Sequence, residues 1–300
     1  MIYENNSVSK FGDYTRKVFF PVEEHPIMSS VDNSIMATDK KMLTTNGKYL
    51  SVVGDKYPVI ENQDILIPME NQMIEYFDPM VLNDVKIIDR ISADGCRCLS
   101  EYIFPKMSRE VGTSQGFRTS IGLRFILKNT LDGSSAIILY SGAIDFFCTN
   151  GMISGDYDVA KARHSKNFDL DGFMGTFKKS LDRFEVLMEQ YQRWADAKLT
   201  DTVKVQQLFE KLTRTNTDEP AKRSNTLADR LFAQYIDEVQ NRGNNVFALQ
   251  SAMTHYASHD DERFPVRSNG DETTLFKRQE QVRKWMSSPV WNDFLENVAA

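Results

Sequence analysis

Three hundred residues, 41% hydrophobic and 26% charged, are enough to bury a core without disulfides or metals, as one large domain or two small ones. A net charge of -6 excludes a uniformly basic coat for nucleic acid. The three cysteines, Cys96, Cys98 and Cys148, exclude a secreted disulfide scaffold and suit a reducing cytosol.

Residues 1–35 show no sustained period and scatter aromatics at Phe11, Tyr14, Phe19 and Phe20. They are expected to form an N-terminal arm lying on the core or partly mobile, with docking on a neighbouring subunit as the alternative. Met1 to Lys10 lacks the apolar centre of a signal peptide,. The longest apolar run, Ala136 to Tyr140, is strand-sized, against the roughly 20 residues that span a bilayer. The expected setting is therefore cytoplasmic, with no membrane partner.

Asn46-Gly47 predicts a hairpin between Met42-Leu43 and Tyr49 to Val53, because both residues tolerate positive φ,. A helix is expected near Pro68 in its first turn, with Met69, Met73, Ile74 and Phe77 on one face and Pro79 closing it,. A meander of strands follows: Val85 to Ile88, Arg97 to Phe104, Phe117 to Leu127, Ala136 to Tyr140 and Ile144 to Cys148,. Asp132-Gly133 supplies a sharp corner, and Ile144 to Cys148 continues after Ser141-Gly142. In Phe117 to Leu127, Ile121, Leu123, Phe125 and Leu127 alternate with Ser120, Gly122 and Arg124.

The second half has helical period. Phe173, Phe177, Leu181, Phe184, Met188, Tyr191 and Trp194 predict a long helix over 169–197,. Further helices are expected over 201–212, 225–242 (ended by Gly243), around 246–256, over 275–286, and after the Ser288-Pro289 cap,. The expected class is α+β: a central antiparallel meander packed by a long helix, then a helical C-terminal half. Its expected segments are an arm at 1–35, an α+β core at 36–260, and a C-terminal loop with helices at 261–300.

Four segments in order carry a family resemblance: Val52 to Asn62, Leu127 to Ala136, Phe147 to Met152, and Ala248 to His259. Over about residues 35–260 the chain resembles the phage- and plasmid-borne proteins gathered as domain of unknown function 932. The resemblance implies a mobile-element setting with DNA-related neighbours, and no transferable activity. Leu131 stands where the family often has an aromatic or His. Asp145 stands where a basic residue is common, so no anion-binding role is expected there.

The chemistry-bearing residues form no recognised catalytic set. Cys96-x-Cys98 lacks the second ligand pair of a zinc site, and thiols at i and i+2 on a strand pack together on one face. Cys148-Thr149-Asn150-Gly151 suits a buried strand cysteine before a turn, there being no base beside it. His255 and His259 share a helical face without the Glu of a zinc peptidase, and packing and capping roles are expected. Asp260-Asp261-Glu262 reads as a solvated charge run. No catalytic residue, metal or cofactor is expected.

A local excess of cations is the remaining signal. Lys106, Arg109, Arg118, Arg124 and Lys128 face one acid, Glu110, in their stretch, and Lys161, Arg163 and Lys166 follow. Phe104, Phe117 and Phe125 are interleaved. Such a set lines a groove for a phosphate backbone with rings for base stacking, or is an ordinary solvated sheet face over core phenylalanines. The leading expectation is a non-enzymatic DNA-binding accessory protein, with single-stranded DNA favoured and annealing or recombination as its role. The order of strands and long helix has the layout of single-strand annealing proteins, many of which form rings, so self-association is expected with it. The alternatives are an interaction module acting on a host process, and an enzyme built on Cys148 or the His255/His259 helix.

Overall fold

A computed structural model describes residues 7–36, 38–147, 151–152, 159–165, 168–214, 226–259, 261–265 and 272–299. Strands occupy the first half and helices the second, giving the α+β class. Ten strands are described: β1 (Ser7–Ser9), β2 (Glu23–Pro26), β3 (Lys40–Thr45), β4 (Lys48–Gly54), β5 (Lys86–Ile91), β6 (Arg97–Gly112), β7 (Arg118–Thr130), β8 (Ile137–Asp145), β9 (Gly151–Met152) and β10 (Val159–Ala162). The described helices are α1 (Gln63–Tyr76), α2 (Pro79–Leu82), α3 (Leu170–Asp196), α4 (Thr202–Thr213), α5 (Thr226–Arg242), α6 (Val246–Ser258), α7 (Glu272–Met286) and α8 (Pro289–Ala299).

One sheet has the order β1-β5-β6-β7-β8-β10, with β9 also on β8, and a second has the order β2-β3-β4. Two compact units divide the chain. The first holds residues 1–107, 124–141 and 158–181, and the second holds 108–123, 142–157 and 182–300. The division falls inside β6, β7, β8 and α3.

In the first unit, Asn46 (φ 48°) and Gly47 (φ 74°) make the expected two-residue turn between β3 and β4. Within residues 7–35 two strands are paired. β1 pairs with β5 and β2 with β3, while Arg16 and Val18 between them are buried. Strands of three and four residues are too short to show a period, which is why the sequence reads as irregular. Leu43, Leu50, Val53, Cys96 and Leu131 form an apolar cluster, flanked by Phe20, Val22, Tyr57 and Val59.

Helix α1 corrects one expectation. It starts at Gln63, so Pro68 lies inside it, past the first turn. Met69 and Met73 are buried as expected, but Ile74 is exposed. The buried stripe is completed instead by Ile65, Leu66 and a charged residue, Glu70. Pro79 opens α2, capped by the Asp78 carboxylate on Met80 N–H at 2.7 Å.

The strand pair expected on either side of Ser141-Gly142 is one strand, β8. Ile137 to Tyr140 pair with β10, and Ala143 and Ile144 pair with β9. The Ser-Gly step therefore marks a change of neighbour within one strand.

The second unit has most of the helices. Phe184, Met188, Tyr191 and Trp194 of α3 are buried, as Phe173 and Leu181 are in the first unit; the Phe177 side chain lies outside the described residues. Asp201 caps α4 through Val203 N–H (3.0 Å) and Lys204 N–H (3.3 Å). Gly243 ends α5 at φ 79°, where a Cβ would sit 2.8 Å from the Gln115 side chain. Asn245 then caps α6 on Ala248 N–H at 2.8 Å. Helix α6 is buried from Val246 to Thr254, the polar Gln250, Ser251 and Thr254 included. Ser288 caps α8 on Trp291 N–H at 3.3 Å.

Candidate functional site

Strand alternation places Arg118, Ser120, Gly122, Arg124 and Lys128 on one face of β7, since side chains alternate with period two. Their partners decide their use. Arg124 Nε donates to Glu101 Oε1 at 2.5 Å, and Arg90 Nη1 donates to Glu101 Oε2 at 2.8 Å. The Arg124 side chain is only 11% exposed. Burial pushes the Glu101 carboxyl up, but the two guanidiniums outweigh it and hold it below the usual carboxylate range. Arg124 is thus committed to a largely buried ion pair.

The other predicted cations are more open. In the first unit Lys106 pairs with Asp84 at 2.9 Å and donates to the Met80 carbonyl at 2.9 Å. Lys128 is half-buried, and Lys161 on β10 and Arg163 beyond it are exposed. In the second unit Arg109 pairs with Glu185 at 2.5 Å, and Arg118, 74% exposed, with Glu110 at 3.3 Å. Lys166 lies outside the described residues, as do Cys148, Thr149 and Asn150. Of the interleaved aromatics, Phe104 and Phe125 are fully buried, in edge contact with each other at 5.7 Å. They are core and offer no ring to a base. Phe117 is half-buried, at the end of the β6–β7 turn.

Phe117 belongs to a cluster that sequence reasoning missed. Arg242, at the end of α5, is fully buried. Its Nε donates to Glu238 Oε2 at 2.8 Å, one helical turn back, and its Nη2 lies 2.8 Å from Asp145 Oδ2. The guanidinium carbon lies 4.9 Å from the Phe117 ring centre, 5.5 Å from Phe147 and 4.8 Å from Phe247, within cation–π range. Thr119 donates to Asp145, and Ser251 to Glu238 at 3.1 Å. The departure at Asp145 now has a physical partner: its carboxylate is balanced by Arg242. The i, i+4 spacing of Glu238 and Arg242 was the available signal.

The first unit has its own buried arginine. Arg16 clamps Asp89 with two bonds, 2.6 and 2.9 Å, and also donates to Glu70. Tyr102 donates to Glu70 at 2.5 Å, and Ser100 to Asp89 at 2.6 Å. Burial and the Glu70 charge both push the Tyr102 phenol well above its ordinary value. Nothing in the irregular stretch around Arg16 signalled this.

Beside it, the first two family-like segments meet. Asn129 donates to the Ile60 carbonyl and to Asn62 Oδ1, both at 3.0 Å, and Tyr57 donates to the Thr130 carbonyl at 3.2 Å. His164 stacks on Tyr57 with ring centres 5.1 Å apart. Burial lowers the His164 pKa, against weaker opposing pulls from the Pro58 carbonyl and Asp132. In the second unit the last two segments meet likewise, β9 running against α6.

The described thiols, Cys96 and Cys98, and the two histidines of α6 and its cap are hydrogen-bonded within the fold. Cys96 donates to the Leu50 carbonyl at 2.9 Å, and Asn62 donates to Cys98 Sγ at 3.0 Å. Burial, mainly, pushes Cys96 up to about 11 and Cys98 up to about 12, so neither is a thiolate near neutrality. His255 Nε2 is 2.6 Å from Asp261 Oδ2. His259 is the residue that caps α6, its N–H bonded to the His255 carbonyl at 3.0 Å. Burial raises the Asp261 carboxyl, yet hydrogen bonds from His255, Phe264 and Arg263 hold it below its ordinary range. Among the described residues no group of three or more His, Cys, Asp or Glu has metal-holding geometry, and no helix is long and apolar enough to cross a membrane.

These features define an α+β protein whose two units are each organised around a buried arginine. The family model described as Domain of unknown function (DUF932) matches residues 49–283, and the chain belongs to that family. The match starts after the hairpin turn and extends into α7, beyond the expected limit of 260. No curated protein and no solved structure matches the chain.

Proposed function

We propose that this chain is a non-enzymatic DNA-binding accessory protein of a phage or plasmid, with single-stranded DNA as its favoured ligand and annealing or recombination as its role. The reading rests on the exposed, loosely held cations of the predicted set. Exposed ion pairs such as Arg109–Glu185 and Arg118–Glu110 contribute only about 0–1 kcal/mol each. A phosphate can therefore replace the carboxylate at little cost. Lys106, Lys161 and Arg163 add to the set, while Arg124 drops out because its pair with Glu101 is largely buried. Fluorescence anisotropy with single- and double-stranded oligonucleotides at low and moderate salt tests the reading. Binding that weakens steeply with salt supports it, and no binding at low salt overturns it. Self-association belongs to the same proposal, and sedimentation that gives a monomer throughout a concentration series removes it.

A second reading, an interaction module acting on a host process, has its own observation. The turn between β2 and β3 exposes Met28, Val31, Ile35 and Met36, and Val31 is 93% exposed. Met28 and Ile35 face each other across a β-bridge, so this is an ordered apolar tip of the kind partners cover. Affinity capture from a host extract with the native chain and a Val31→Asp/Ile35→Asp variant tests it. A host protein held by the first and lost by the second supports this reading, and equal recovery defeats it.

A further inference from the structure

Resting on the nucleic-acid reading above, we infer that Phe147 is a base-stacking platform for single-stranded DNA. Phe147 is 56% exposed, and no other phenylalanine or tryptophan among the described residues is as open. Its ring is nonetheless held firmly. Phe147 N–H donates to Asp145 Oδ1 at 2.9 Å, and the preceding Phe146 N–H donates to the Ser120 carbonyl at 3.0 Å. Phe117 meets the ring edge-on, at 90° and 4.9 Å between centres.

The support beneath the ring is the second unit's buried ion cluster. The Arg242 guanidinium lies over the Phe147 ring at 5.5 Å, and Arg242 is itself fixed by Asp145 and Glu238. A surface phenylalanine ordinarily lies down on apolar neighbours to escape water. This one is propped between a ring edge and a cation, and still presents more than half its surface. Stacking on a base requires that combination: a ring both held in place and accessible.

Charge selects the occupant. Arg118 follows Phe117 in the chain, its side chain 74% exposed and tied only to the exposed Glu110. An exposed ring in a unit that also exposes Arg109 and Arg118 suits a strand with phosphates and unstacked bases. A duplex hides its base faces and fits poorly.

The test uses the full chain and fluorescein-labelled oligo(dT), with a duplex of equal length as the comparison. Phe147→Leu keeps an apolar cover over Arg242 but removes the π-face. It should weaken oligo(dT) binding about 5- to 150-fold, the loss of one base–aromatic stack, with little change for the duplex and none in thermal melting. Phe147→Trp should restore affinity. Trp194, Trp285 and Trp291 are buried and emit in native chain and variant alike, so the difference in emission between the two reports on position 147 and should be quenched at saturation. Unchanged oligo(dT) affinity in Phe147→Leu, or no quenching in Phe147→Trp, overturns this inference and leaves the DNA-binding reading standing. A native chain that binds neither oligonucleotide overturns both. A Phe147→Leu variant that changes only the sedimentation behaviour makes the ring a protein contact and also overturns the inference.

Discussion

Arg16 and Arg242 solve the same problem in two ways. Both are fully buried guanidiniums, each facing two carboxylates and aromatic rings. Arg242 takes one carboxylate from its own helix, four residues back, and one from β8. Arg16 takes both from afar, Glu70 in α1 and Asp89 in β5, 54 and 73 residues along the chain. The Arg16 cluster is closed by Tyr102 and Ser100, whereas the Arg242 cluster reaches the surface through Phe147. Desolvation makes such pairs poor sources of net stability. What they supply is specificity of arrangement: Arg16 fixes the fold of its unit, and Arg242 also fixes a surface feature.

The largest effect should come from cutting the chain to the family match. A chain starting at residue 49 loses β2, β3, Leu43, Val18 and Arg16, and leaves Glu70 and Asp89 buried without their cation. Removing one partner of a buried pair alone costs about 3–5 kcal/mol, a large share of the roughly 5–15 kcal/mol of a whole domain. The first unit should then show no cooperative transition by circular dichroism or hydrogen exchange. Cooperative melting of this chain would show that Arg16 is dispensable.

Next come the single replacements. Arg16→Met and Arg242→Met should each lower stability by about 3–5 kcal/mol in urea titrations. Adding Glu70→Gln and Asp89→Asn to Arg16→Met should recover part of the loss, since the orphaned charges are then gone. The two variants should differ in oligo(dT) binding: Arg242→Met releases Phe147, while Arg16→Met does not. Equal effects on binding would erase the contrast between a closed cluster and a connected one.

A smaller pair of changes separates structure from surface. Arg124→Ala should cost about 1–3 kcal/mol, because Glu101 loses one of two charged donors. Arg118→Ala should stay within about 0.5 kcal/mol yet flatten the salt dependence of single-strand binding by about 0.7 in slope, one phosphate contact. Reversed outcomes would return Arg124 to the binding surface.

The smallest effect is on pH. His164 has a lowered pKa in the fold, so the unfolded chain takes up the proton first as pH falls. Its contribution is therefore complete above the ordinary histidine value of about 6.5 and declines below it. Melting of the first unit should weaken as pH drops from 7 towards 5, and less so in His164→Asn. A variant with the native pH profile would show that the stacked ring is not desolvated.

Much of this was legible in the residues. The Asn46-Gly47 turn, the β7 alternation, the α3 stripe and the Gly243 stop are local codes, and each stands where it was expected. The misreadings share one cause. Pro68 suggested a helix start, but burial of Ile65 and Leu66 extends α1 backwards past it. Ser141-Gly142 suggested a break between two strands, but pairing on both sides keeps β8 continuous. Arg124 looked like a surface cation because its strand position is outward; only the cross-strand neighbour Glu101 shows that it is spent on an ion pair.

The sequence by itself determined the α+β class, most elements and the family, because these follow from period, turn chemistry and ordered local segments. It also located the cation-rich stretch. Tertiary structure alone decided which charges are buried with partners and which remain open. That choice depends on contacts between residues such as Arg16 and Asp89, or Asp145 and Arg242, whose separation along the chain leaves no pattern to read. The same long-range contacts made Phe104 and Phe125 core and left Phe147 open at the surface.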